Sequence, residues 1–309
     1  MDQRSPLDGR AAALMLLLCL IWSLQQISLK AVAEQASPML LIGLRSGIAA
    51  LLVTLLMWRR GELPTLASGR WRAGLWTGAL FGLEYIVVAE ALRLTHAAHV
   101  VVFLYTAPIF AALGLHGALR SERLQPLQWA GIGLAFGGIA LTFLARAGGQ
   151  VDLATQRILL GDALALLGGV AWGATTVVVR RTSLSAAPPT ESLLYQLLGA
   201  FVLLWPLSLL TGRAHFEPSL TVWSHLAFQC LIVSFASFLA WCWLLRHYLA
   251  SRLGVFSFLT PLFGVLLGHM LLGEPLETSF LAGGGLVLAG ILMVSGHDLL
   301  KPRVGRSVA

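Results

Sequence analysis

The sequence has little charge. Asp, Glu, Lys and Arg make up 11% of its 309 residues, where a soluble domain carries about 25%. With 57% hydrophobic residues and a mean hydropathy of +0.81, a water-soluble fold would have to bury nearly every segment on all sides, and that class is excluded. Only three cysteines occur, Cys19, Cys230 and Cys242, each inside an apolar stretch. They are expected to stay reduced and to pack as apolar side chains, so neither a disulfide framework nor a cysteine metal site is expected. No GxxxxGK[ST] phosphate loop and no HExxH pair is present, so the sequence offers no ATP-driven engine and no metallopeptidase site. No cofactor and no metal is expected.

What the chain does have is apolar runs of about 20 residues, the length a helix needs to cross a bilayer. Lipid offers no partner to an open backbone amide, so these runs are read as helices. Ten spans are expected, at 11–32, 38–57, 71–92, 97–118, 126–145, 159–179, 191–211, 222–245, 252–272 and 279–296. The fold class is therefore an all-α integral membrane protein with ten transmembrane helices. The first run resembles a signal peptide, but it extends past a usual apolar core and no small-residue cleavage site follows, so it is read as a retained helix.

The chain also repeats itself. Thr106-Ala107-Pro108-Ile109-Phe110, then His116, Glu122 and Gly131-Ile132-Gly133, is matched by Leu259-Thr260-Pro261-Leu262-Phe263, His269, Glu274 and Gly283-Gly284-Gly285. Trp22 and Trp172 hold matching places in the first span of each half. Two domains follow, 1–150 and 151–309, of five helices each. Lys and Arg set the orientation. Of the 21, fifteen fall at one set of helix ends (among them Arg59, Arg60, Arg70, Arg72, Arg180 and Arg181), five at the other (Lys30, Arg93, Arg146, Arg157 and Arg213), and Arg45 lies within a span. The excess marks the cytoplasmic side and puts both termini there. The net charge of +7 is thus spread over many inner loops, which argues against a nucleic-acid partner. Five spans per half is odd, so the repeats are expected to be inverted, an arrangement suited to alternating access.

The Trp in the first span of each repeat, the proline followed by an apolar helix and Glu, and the closing Gly-rich helix together resemble paired EamA domains of the drug/metabolite transporter superfamily, over roughly 13–144 and 160–296. The resemblance implies a ten-helix fold whose central cavity is lined by the first, third and fourth helices of each repeat. It also implies export or exchange of small metabolites, often amino acids, across the inner (plasma) membrane.

Polar residues inside spans are costly and mark sites. Glu84 lies in the third span, and counting from the outer face puts it and Arg45 both about 10–12 Å deep. Glu84 is read either as a cavity carboxylate for a cationic group or coupling proton, or as an ion-pair partner of Arg45. Arg45 is in turn either that partner or a bidentate anchor for a substrate carboxylate. Glu90 is six residues on, about 120° around the helix, so the two acids do not face each other; a pair with Arg93 is expected. Trp22, Tyr85, Tyr105, Trp172 and Trp241 sit away from the interfaces where Trp and Tyr anchor, and are read as cavity walls or as helix packing. Gln26 is a candidate hydrogen-bonding group for substrate, or an interhelical one. Pro108 and Pro261 free a carbonyl near mid-membrane and are candidate hinge or cavity positions. His116 and His269 fall at opposite faces and cannot share a metal.

The expected function is a secondary transporter of a small organic metabolite, such as an amino acid or organic cation, and not an enzyme. Its substrate-binding set is Trp22, Gln26, Arg45, Glu84, Tyr85, Tyr105, Trp172 and Trp241. The other expected partners are membrane lipid, protons as candidate coupling ion, and a second copy as candidate homodimer. The alternatives are an uncoupled facilitator or exchanger of neutral or aromatic amino acids and, from another class, a channel or structural membrane protein.

Overall fold

The computed structural model describes residues 8–63, 69–119, 123–147, 152–248, 253 and 256–300. Several of the helices start where the sequence marks them, with a capping side chain or a proline. Helix α1 (Gly9–Ala31) is capped by Asp8, whose carboxylate accepts from the Ala11 amide at 2.8 Å; α2 (Pro38–Arg60) opens on a proline and stops at Gly61, which takes a left-handed φ of 66°. The chain continues through α3 (Trp71–Leu94), α4 (Ala97–Leu104), α5 (Ala107–Ala118), α6 (Pro126–Ala147), α7 (Leu153–Arg181) and α8 (Pro189–Leu210). Asp152 caps α7 as Asp8 caps α1. After α9 (Leu220–Ala227) the backbone widens into π-helical turns over Phe228–Ser237 and returns to α geometry as α10 (Phe238–His247). The last two helices are α11 (Leu259–Leu272) and α12 (Thr278–Leu300).

Eight helical stretches are long and apolar enough to cross a membrane, counting α4 with α5 and α9 with its continuation; Leu259–Leu272 and Thr278–Val294 are shorter apolar helices. Two local features depart from a set of plain α-helical spans. The span expected at 97–118 is broken at Tyr105-Thr106, so Pro108 stands in the first turn of α5, where its missing N–H costs nothing. Pro261 likewise sits third in α11. The π-helical stretch is the second departure. Part of the span expected at 252–272, and Glu122 of the repeated motif, lie outside the described residues.

Large apolar side chains cover the outside, for example Leu51, Trp76, Leu210 and Trp223, while the cores hold small and apolar residues. That distribution suits lipid rather than water as the solvent of the flanks. The helices pair as α6 with α12, α3 with α7 and α8, α2 with α8, α1 with α11, and α4 with both α7 and α11. Glycines decide how close several pairs come. A β-carbon on Gly131 would stand 2.7 Å from the Gly290 carbonyl oxygen, and one on Gly138 would meet that of Gly283. Moving up α6 therefore means moving down α12: the two run antiparallel. Gly43 against Trp205 and Gly47 against Phe201 show the same for α2 and α8.

Candidate functional site

Glu84 and Tyr85 reach inward from α3, Arg45 from α2, Gln25 from α1 and Gln229 from the π-helical turns. All five are buried. The Arg45 guanidinium donates through Nη1 to Gln229 Oε1 at 2.5 Å and lies over the Tyr85 ring, 4.7 Å from its centroid. Gln229 Nε2 donates in turn to the Gln25 carbonyl (2.8 Å), and Gln25 Nε2 donates to the Tyr85 hydroxyl (3.2 Å). One cation is thus held by a closed ring of amide and phenol contacts drawn from four helices.

Glu84 belongs to this cluster without being consumed by it. It is 3% exposed, so it does not face lipid, and among the described residues its Oε2 has no hydrogen-bond partner. Among the described residues no ion pair within 4.0 Å joins it to Arg45. The direct Glu84–Arg45 pair, one of the two sequence readings, does not form, because the guanidinium is turned toward Gln229. Arg45 Nε is also without a partner. A buried acid and a buried base, each with an open position, are costly to leave so and suit a site that receives charged groups.

The aromatic residues form two pairs beside this centre. Trp22 packs edge-on against Trp241 (5.6 Å) and donates through Nε1 to Ser237 Oγ at 3.0 Å. Tyr105 packs edge-on against Trp172 (5.2 Å). Ser23 Oγ donates to the Thr260 carbonyl at 2.6 Å, just ahead of Pro261. Of the expected site residues, Arg45 and Tyr85 are in direct contact, Tyr105 pairs with Trp172, and Trp22 pairs with Trp241. Gln26 is buried with Oε1 unpartnered, and no hydrogen bond ties it to the others. The apolar groove between α2 and α8, floored by Gly47, Leu51 and Phe201, is a separate feature on the flank.

Glu90 pairs with Arg93 (2.9 Å), as expected, and also with Arg213. His116 Nδ1 accepts from the Leu124 amide (2.9 Å), and His269 Nδ1 bonds the Glu274 carbonyl (2.9 Å), so each histidine braces its own helix end. Among the described residues no group of three His, Cys, Asp or Glu is placed to hold a metal.

Sequence reasoning passed over a second polar cluster. Glu274 accepts from the Ala97 and Ala98 amides (2.6 and 3.0 Å), capping α4 from the far half of the chain. Asp162, fully buried in α7, accepts from Thr95 Oγ1 (2.6 Å) and lies 2.9 Å from His99 Nδ1. Lys30 Nζ donates to the carbonyls of Leu92 and Thr95, closing the end of α3. The signal was present: Asp162 is an acid inside an apolar span, the same mark that singled out Glu84.

Comparison with known proteins agrees with this architecture. The family described as the EamA-like transporter family matches residues 9–144 and again 159–296. An "Uncharacterized transporter" of Archaeoglobus fulgidus is 25% identical over 298 residues, 94% of this chain and 99% of the relative. The "Uncharacterized inner membrane transporter YedA" of Escherichia coli K12 is 26% identical, with 97% and 94% covered. A Salmonella typhimurium protein named "Probable amino-acid metabolite efflux pump" is 29% identical, with 90% and 92% covered. One solved crystal structure superposes with a TM-score of 0.61 over 95% of this chain and all of the other, at 22% identity, a likeness of fold alone. With two copies of the family's unit spanning nearly its whole length, and apolar helices throughout, this multi-pass membrane chain belongs to the EamA-like transporter family.

Proposed function

We propose that the protein is a secondary transporter that carries a small organic solute with an ammonium group, an amino acid or an organic cation, and that it acts as an exporter. The solute's cation is received by Glu84 Oε2, and Arg45 attracts a carboxylate when one is present. Tyr85, Tyr105 and Trp172 supply flat apolar walls, an arrangement that binds cations through ring faces as well. The observation that carries this reading is the open oxygen on a buried carboxylate, beside a buried guanidinium. The name of the Salmonella relative supports the solute class and the direction.

Mechanistically, ten crossings form two inverted five-helix repeats, 1–150 and 151–309, that rock about the site with both termini in the cytoplasm of the inner membrane. Support comes from the seam between α6 and α12. Gly131 corresponds to Gly283 and Gly138 to Gly290 in the repeat, and the contacts run crosswise, Gly131 to Gly290 and Gly138 to Gly283. Equivalent helices that meet antiparallel through exchanged equivalents are what a two-fold axis in the membrane plane produces. Protons are the proposed coupling ion, with Glu84 as the group that exchanges them.

The test is counterflow in proteoliposomes. The wild-type protein should trade labelled amino acid or amine across a gradient, which a channel does not do. Glu84→Gln should lose transport of cationic solutes by at least tenfold at normal expression, and unchanged counterflow in that variant rejects the role. A facilitator of neutral amino acids would instead transport with no dependence on pH.

A further inference from the structure

We infer that Trp172 is an internal competitor for Glu84: in the opposite conformational state its indole N–H donates to the carboxylate and displaces the solute's cation. This rests on the inverted-repeat reading above. In such a fold the two halves hold different conformations in one state and exchange them in the other, so a contact made by one half now predicts the contact its mate makes later.

The repeat correspondence is fixed at several points. Trp22 matches Trp172, and with Pro108 matched to Pro261, Glu84 matches Ser237. The register is borne out where both halves are alike. Ser23 Oγ bonds the Thr260 carbonyl, and its mate Gly173 lies against the carbonyl of Ala107, the mate of Thr260, 2.9 Å from where a β-carbon would stand. One contact differs. Trp22 Nε1 donates to Ser237 Oγ at 3.0 Å. The equivalent bond, Trp172 to Glu84, is not made, and Glu84 Oε2 is left without a partner.

The packing of α3 on α7 brings these two residues level. Gly161 lies against Thr95 and Gly168 against Val88, so seven residues forward on α7 correspond to seven back on α3. Four more in each direction reach Trp172 and Glu84, about one helical turn further along the same seam. The donor and the open acceptor are neighbours by register, and repacking of Trp172 off Tyr105 joins them. Glu84 then has one acceptor position claimed alternately by the solute and by the protein. That gives a defined release step: the state that lets the solute go is the state in which the indole replaces it.

The test reads the conformational balance directly. Val101 is fully buried where α4 meets Gly264 of α11, so Val101→Cys, with Cys19, Cys230 and Cys242 replaced by alanine, reports opening of that contact by its rate of maleimide labelling in detergent. Ser237→Ala and Trp22→Phe remove a bond of the present state and should speed labelling about fivefold, the change that one typical hydrogen bond makes. Trp172→Phe and Trp172→Tyr remove the bond of the opposite state and should slow it by a similar factor. Labelling that is unchanged or faster in both Trp172 variants, or unchanged by Ser237→Ala, overturns the inference. The readout needs no solute. Failure of the transport reading would appear separately, as a wild-type protein that gives no counterflow while labelling still responds in opposite senses.

Discussion

The seam between α6 and α12 and the centre around Glu84 are built on opposite plans. At the seam each half repeats the other: glycine faces glycine, and Gly131, Gly138, Gly283 and Gly290 exchange partners crosswise. At the centre the halves diverge. Glu84 has Ser237 as its counterpart, and the Arg45–Gln229–Gln25–Tyr85 ring draws on α1, α2 and α3 of one half and a single side chain of the other. Close helix packing is carried by what the chain repeats, and the proposed solute site lies where the repeat lapses.

That contrast is sharpest where contact is closest. A side chain on Gly199 would overlap the Gly78 backbone, and Gly199→Leu is expected to abolish folded protein, read as loss of the monodisperse peak in size-exclusion chromatography; recovery of normal yield would show that the close approach is dispensable. Gly138→Ala at the seam, facing Gly283, should cost about 1–3 kcal/mol by overpacking, measured as a fall in thermal midpoint, with solute affinity retained. Gln229→Leu breaks the centre instead. It leaves the Arg45 guanidinium short of its acceptor and should cost about 1–3 kcal/mol together with a loss of solute affinity that Gly138→Ala does not show. Equal affinity in the two variants would erase the distinction between scaffold and site.

Two smaller effects concern the helix ends. Glu274→Ala removes both acceptors from the first turn of α4 and should destabilise by about 1–2 kcal/mol, as loss of a strong cap does. The caps at Asp8 and Asp152 set the smallest expectation. Both carboxyls titrate below their ordinary value of 3.8, held down first by the backbone amides of Ala11 and Thr155 respectively. A depressed folded value means that the stabilisation is present above the unfolded value and fades as pH falls through the folded one. Thermal stability should therefore drop slightly below about pH 4, and less so in the Asp8→Asn, Asp152→Asn double variant.

The apolar helices, the repeat and the presence of a buried acid at Glu84 were legible because lipid makes apolar length and intramembrane charge conspicuous. The partner of Arg45 was not. Counting depth along α2 and α3 suggested Glu84, since both lie at one level, but the guanidinium bonds Gln229, and an amide in an apolar span, though a polar mark, does not say which side chain it will meet. The π-helical turns that present Gln229 and Ser237 were invisible for a related reason: Phe228-Gln229-Cys230-Leu231 has no proline or glycine to announce a change of pitch. Asp162 was legible in principle, by the argument that found Glu84, yet its partner Thr95 lies in the turn that hydropathy treats as a boundary, and His99 in the first turn of α4 just beyond it.

The Glu274 cap has a consequence for how the chain is made. The amides of Ala97 and Ala98 open a helix that must be inserted early, while the carboxylate that satisfies them is synthesised roughly 175 residues later. Until Glu274 has been made, those two amides lack this acceptor, so the capped start of α4 is expected to form only after the second half is present.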